Sequence, residues 1–328
     1  MQNAIAAPGD IARNGTPARW TGRQFHNQPE ASHTHGFLVA LWDEVAERTG
    51  GALRIAAHAQ NAGIPGSDPA ALRMIVSGEL EFMTLMGGII GQVVPVAEIQ
   101  GLSFAFTSHA QVHGAMRGAL GDHLRHEMAA KGIHAFRDGV LENGFRHIVS
   151  VDRPVRDAAD LAGYRMRIPA GRLFEDTFRA LGAEPVIVDI RGLYDSLRER
   201  RVDGQENPLA VVEVNRLYEV SKYVSLTSHM WSGFNLIGNL AFWRALPEVV
   251  QETVNRAVAT HVARQRAYTE GFNRELETKL STERGMLFNT ADAASFRRAL
   301  QGDFYRRWRR EFGETAWLLL EDAVGRPL

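Results

Sequence analysis

Two hydrophobic periods alternate along the chain. From His33 to Arg48 the apolar residues Phe37, Leu38, Leu41, Trp42 and Val45 recur at helical spacing, which predicts a helix stopped by Gly50-Gly51. On either side, Arg19 to Phe25 and Leu53 to Ala57 read as short strands, the first ended by the polar turn His26 to Pro29. A Gly/Pro/Asp-rich loop from Gly63 to Pro69 leads into a helix over Ala70 to Ser77. A third strand, Glu81 to Leu85, then runs into Met86-Gly87-Gly88. Strands alternating with helices of this length predict a mainly parallel sheet covered on both faces, with ligand loops at the carboxyl ends of the strands.

The alternation returns further on. Phe145 to Val151, Tyr164 to Ile168 and Glu184 to Asp189 read as strands; Arg172 to Leu181 and Leu193 to Arg200 read as helices. Val202 to Asn207 forms another strand-to-loop edge, because Pro208 blocks a helix through it. A helical pattern from near Pro247 to about Leu280 is long enough to brace two bodies. At 328 residues the chain exceeds what one core usually serves, so two lobes with a cleft between them are expected. The most apolar stretch, Leu85 to Phe106, is broken by Gln92, Pro95, Glu98 and Gln100, which reads as buried strand and loop, not a membrane span.

Charge and composition narrow the partners. A formal net charge of −1 argues against nucleic acid, whose binders carry a basic surplus. Without cysteine there is no disulfide, thiolate metal site or cysteine nucleophile. Met1 to Arg19 lacks a secretory leader's basic start and apolar core, so the sequence alone leaves a removed signal and a cytosolic protein as alternatives.

Arginines carry the candidate chemistry. Arg146 and Arg167 both fall on predicted strands, and a guanidinium holds a carboxylate through two parallel hydrogen bonds that lysine cannot reproduce. Asn27 and Asn207 sit in strand-end loops and offer a donor and an acceptor each, although asparagine is also a common turn residue. Met86 with Gly87 lets backbone approach a ligand closely, or packs as a tight turn. Histidine pairs at 33/35 and 109/113 have chelating spacing, but no zincin glutamate joins them and no third ligand is suggested nearby; solvated or capping histidines are the expected reading. No phosphate loop, dinucleotide fingerprint or nucleophile elbow is present, so no cofactor is implied. An enzyme using Glu142 or Asp189 as general base is the competing class, and a ligand sensor a third.

The blocks Leu161 to Pro169, Ala180 to Pro185, Leu193 to Leu197, Val202 to Pro208 and Glu219 to Tyr223, with Thr49 to Leu53 and Gly78 to Phe82 earlier, resemble the periplasmic substrate-binding proteins of TRAP transporters, the DctP-like family. The resemblance covers residues 19 to 325. It implies a two-lobed α/β protein with strands crossing between lobes and a long bracing helix. The implied lobes are 19–142 plus 232–272 and 143–231 plus 273–328, preceded by a flexible segment 1–18. It further implies a periplasmic, non-catalytic role: capture of a small organic acid by hinge closure and delivery to membrane permease subunits. Arg167 matches the family's carboxylate-binding arginine, Arg146 a second one, and Asn207 and Asn27 ligand-facing asparagines. The expected ligand-binding set is Arg167, Arg146, Asn207, Asn27, Met86, Gly87, Trp231 and Glu142, with no metal. Where some sugar-acid-binding members carry an acidic residue, this chain has Met86. With Trp231 and Phe234 as aromatic surface, that points to a less hydroxylated ligand, an aromatic or short-chain monocarboxylate.

Overall fold

A computed structural model describes residues 19–328; the segment 1–18 lies outside the described residues. Among the described residues nine strands form one continuous sheet in the order β2-β1-β3-β8-β4-β7-β5-β6, with β9 added beside β8. The first half holds β1 (Trp20–Phe25), α1 (His33–Arg48), β2 (Leu53–His58), α2 (Asp68–Ser77), β3 (Phe82–Met86), a short α3 (Gly87–Ile90), α4 (His109–Arg117) and α5 (Ala119–Ala130). Then β4 (Ile133–Ser150) runs into the second half: β5 (Arg165–Ile168), α6 (Arg172–Ala180), β6 (Glu184–Ile187), α7 (Ile190–Arg198), β7 (Gly204–Asn207) and α8 (Leu209–Val214). β8 (Tyr223–Asn239) returns to the first half, α9 (Leu240–Ala245) and α10 (Glu248–Thr282) follow, and β9 (Leu287–Thr290) with α11 (Ala293–Leu300), α12 (Asp303–Phe312) and α13 (Glu314–Val324) ends the chain.

The predicted helix His33–Arg48 has the expected bounds, fixed at its start by Ser32, whose hydroxyl accepts from the His35 amide. Parallel pairing holds where it was expected, β1 with β2 and β3, and β5 with β6 and β7. The centre differs. There β4 and β8, 18 and 17 residues long, pair antiparallel, and they also pair antiparallel with β7 and β3 respectively. These two strands carry the chain between the halves, and register shifts at Ala135/Val140, Glu142/Gly144 and Arg146/Ile148 bend their ladder. The sheet is therefore mixed.

α10 has 35 residues and at 1.5 Å per residue spans roughly 50 Å. It buries Val254, Val258 and Val262 toward its start and Leu276 and Leu280 toward its end, packing on α1 and β4 and then on α8 and β9. One core cluster gathers Leu38, Trp42, Phe82 and their neighbours; a second gathers Leu193, Leu197, Leu209, Leu276 and Leu280. No described helix is long and apolar enough to cross a membrane.

Candidate functional site

Arg165 and Arg167, two apart on β5, share one face of the strand; Arg165 starts it at the rim, paired with Asp203, and Arg167 lies further along, where the strand is buried. The Arg167 side chain is 2% exposed, and its Nε donates to the Val188 carbonyl at 2.8 Å. Among the described residues no carboxylate pairs with it directly; Glu206, Asp189 and Asp68 act only at longer range. Burial pushes this guanidinium down to about 10, so it stays charged at neutral pH.

Arg146, on β4, is in the opposite state. Antiparallel pairing sets Glu206 of β7 opposite Ile148, two residues from Arg146. The arginine's Nη2 donates to Glu206 Oε1 at 2.7 Å and to the Glu206 carbonyl at 2.6 Å, while its Nε donates to Oε2. Burial would raise the Glu206 carboxyl, but Arg146 and His229 outweigh it and hold it below its usual range. The His229 Nε2 lies 3.2 Å from Glu206 Oε2, and its Nδ1 is 2.7 Å from the Thr227 hydroxyl. Arg146 also stacks over Phe174 at 5.1 Å and approaches the Met86 sulfur at 3.6 Å. Its charge is neutralised inside the protein.

These two arginines line one cavity of about 180 Å³ with walls from both halves. Asn207, last residue of β7, joins them, its amide donating to Gln205. From the first half come Asn27, just after β1, and Met86, which ends β3 beside Phe234. Asn27 is already engaged: its amide donates to Asp68 Oδ2 at 2.7 Å, and its carbonyl accepts from Gln28 at 2.8 Å. Burial pushes the Asp68 carboxyl up, opposed by the Asn27 and Asn61 amides that donate to it. Asp189 also reaches the cavity, but it caps α7 and pairs with Arg191 at 2.9 Å.

Three expected residues lie elsewhere. Glu142 is fully buried away from this cavity, where its Oε1 accepts from the Trp231 indole at 2.8 Å and its Oε2 faces His109 Nδ1 at 2.9 Å. Trp231 therefore spends its polar edge on Glu142 and lines, with Gly87, a separate void of about 20 Å³. Gly87 serves packing: a Cβ there would sit 2.5 Å from the Ala97 carbonyl. Glu142 and Trp231 share a setting, since the β4–β8 ladder shifts register at Glu142/Gly144, between the two. Phe234, by contrast, does line the main cavity. Sequence reasoning missed Asp68, Gln28, Asn143 and Ile89; the Asp68-Pro69 start of α2 was the available signal for the first.

Contacts also tie the halves together around the cavity. The Arg191 guanidinium donates to the Gly66 carbonyl, Leu173 N donates to Glu98 at 2.7 Å, and Gly88 faces the Phe174 ring.

Residues 25–311 match the family DctP, described as bacterial extracellular solute-binding protein, family 7. An uncharacterized protein, y4mM, of Sinorhizobium fredii is 36% identical over 187 residues, 57% of this chain and 34% of its own length, so the chain spans about a third of that relative. A TRAP periplasmic solute-binding protein of Polaromonas sp. JS666, solved bound to D-erythronate, is 26% identical with a TM-score of 0.86, covering 94% of this chain and 99% of its own. One from Chromohalobacter salexigens, solved with D-glucuronate, is 25% identical with a TM-score of 0.86, covering 93% and 99%. With the match spanning most of its length and both halves of the fold, the chain belongs to the DctP family of bacterial extracellular solute-binding proteins, a family of transport and not of catalysis.

Proposed function

We propose that this chain is the solute-binding component of a TRAP transporter, taking up a small, singly charged organic acid outside the cytoplasm and handing it to membrane permease subunits. One observation carries the charge assignment: of two buried arginines in the cavity, Arg146 is already paired with Glu206, and Arg167 alone lacks a carboxylate partner among the described residues. A single uncompensated guanidinium fits one carboxylate and penalises a second. Residues 19–142 plus 232–272 would close against 143–231 plus 273–328, because a ligand touching Arg167 and Asn207 on one side and Asn27 and Met86 on the other favours the closed arrangement.

Within that class, the cavity favours a short-chain hydroxylated monocarboxylate. Asn27, Asp68, Asn143 and Asn207 offer hydroxyl partners, while Met86, Ile89 and Phe234 wall the remainder. Such a ligand is close in chemistry to the erythronate held by the Polaromonas protein. An aromatic acid has less support, because Trp231 turns to Glu142 and Phe234 is the one aromatic ring in the lining.

A thermal-shift screen in carboxylate-free buffer tests the reading, with short hydroxy acids, hexuronates, aromatic acids and dicarboxylates as its arms. A ligand at 100 times its Kd adds about 2.7 kcal/mol, which at roughly 2–4 °C per kcal/mol gives a plain shift. Short hydroxy monocarboxylates are expected to shift Tm most. A dicarboxylate giving the largest shift would overturn the single-charge assignment.

A further inference from the structure

We propose that His109, His113, Glu142 and Glu270 form a binding site for a divalent transition metal, best suited to Zn²⁺, at the junction of α4, β4 and α10 and outside the carboxylate cavity. The sequence offered two histidines one helical turn apart and no third ligand. The fold supplies two more groups, Glu142 from the bulged centre of β4 and Glu270 from mid-α10.

The geometry is that of ligands converging on a point. A ring nitrogen of His109, a Glu142 oxygen and a Glu270 oxygen all lie within 4.8 Å of one another, and His109 Nδ1 is 2.9 Å from Glu142 Oε2. His113 Nε2 is 2.9 Å from Glu142 Oε2 and 3.7 Å from Glu270 Oε1. Tetrahedral ligands at Zn²⁺ bond lengths stand roughly 3.3 Å apart; the His113 edges to the two glutamates bracket that spacing at 2.9 and 3.7 Å, and the edges among His109, Glu142 and Glu270, all within 4.8 Å, tighten to it on binding. Two neutral imidazoles and two carboxylates carry two negative charges, which a divalent ion balances. Imidazole with carboxylate is a donor set that Zn²⁺ accepts readily.

A simple ion-pair network accounts for less. His113 is mostly buried; its Nδ1 has no hydrogen-bond partner among the described residues, and its Nε2 stands 2.9 Å from Glu142 Oε2 in a contact that is at best a poorly aligned hydrogen bond. A nitrogen close to a carboxylate oxygen but off the hydrogen-bonding direction fits two lone pairs aimed at a shared cation. The nearest cations, Arg266 and Arg274, form no ion pair with Glu142 or Glu270 among the described residues; Arg266 instead donates to the Val140 carbonyl at 2.7 Å.

The surroundings orient the ligands. Trp231 Nε1 occupies Glu142 Oε1, leaving Oε2 toward the histidines, and Gln265 clamps the Glu142 backbone by accepting from its N–H at 2.9 Å and donating to its carbonyl at 2.7 Å. His109 and Glu270 are each about 30% exposed, which opens a path from solvent.

The untagged, metal-stripped protein dialysed against low-micromolar Zn²⁺ should retain one ion per chain, and Co²⁺ should produce the visible absorption of a four-coordinate site. Tryptophan fluorescence should change on loading, since the Trp231 and His113 rings meet edge-on at 6.1 Å. H109Q/H113Q should lose affinity tenfold or more, and so should Glu270→Gln, a substitution on a partly exposed helix face that keeps the test open if the double variant fails to fold. Failure to hold stoichiometric Zn²⁺ overturns the proposal, as does unchanged affinity in either variant.

Discussion

Arg146 and Glu206 neutralise one another inside the protein, with side chains 1% and 0% exposed and Nη2 and Oε1 2.7 Å apart. Arg167 in the same cavity has no carboxylate in direct contact among the described residues, and feels Glu206, Asp189 and Asp68 only at longer range. The pair thus leaves Arg167 as the guanidinium of the cavity without a carboxylate in contact, the one to which the proposed function assigns the ligand.

Glu206→Gln should unpair Arg146 and destabilise the fold by about 3–5 kcal/mol, the usual penalty for leaving one member of a buried pair behind. Melting at neutral pH should show Tm lower by on the order of 5 °C or more. The carboxyl's folded pKa lies below its ordinary 4.5, so its stabilisation is complete above that value and fades as pH falls through the lower folded one. The gap in Tm between parent and variant should therefore narrow on acidification below about 4.5. A gap that is constant down to strongly acidic pH would contradict the pairing.

Removing the open charge should act on ligand instead. Arg167→Ala should weaken the best hit of the acid screen by about 2–5 kcal/mol, or ~30-fold to several thousand-fold in Kd. Arg167→Lys should recover only part of this, because an ammonium cannot reproduce the two-point grip. Titration calorimetry reads both, and equal affinity in the alanine variant removes Arg167 from the site.

A methyl group at position 88 should act as a wedge. A Cβ on Gly88 would lie 2.6 Å from the Phe174 ring, over which the Arg146 guanidinium also stacks. Gly88→Ala should cost about 1–3 kcal/mol of closure, lowering affinity about tenfold or more with little change in the melting of the ligand-free protein. Small-angle scattering with and without ligand should show reduced compaction; full compaction at parental affinity would exclude the wedge.

Arg191 should contribute modestly. Its guanidinium reaches the Gly66 carbonyl across the cavity mouth but is 41% exposed, so solvent screens it. Arg191→Ala should raise Kd less than tenfold, chiefly through faster ligand release by stopped-flow measurement. A loss as large as that from Arg167→Ala would mean that Arg191 touches the ligand itself.

Local pattern made much of this legible. The Phe37, Leu38, Leu41, Trp42, Val45 stripe and the Gly50-Gly51 stop announced α1, and the period of two put Arg165 and Arg167 on one face of β5, while how deep each lies depended on packing that the pattern does not carry. What could not be read were the long central strands: β4 and β8 are buried on both faces and interrupted by bulges, so neither the period of two nor a clean boundary survives. Glu142 was misplaced for the same reason, since one bulge decides which way its carboxylate points. The partner of Arg146 was hidden because it lies 60 residues away and depends on the register of β4 against β7.

A lone buried cation also has a practical consequence. On the proposed reading a buried guanidinium without a carboxylate in contact would accept small anions from its medium, formate or acetate in a purification buffer among them. Affinities taken in such buffers record an exchange of guests, and they understate how tightly the physiological one is held.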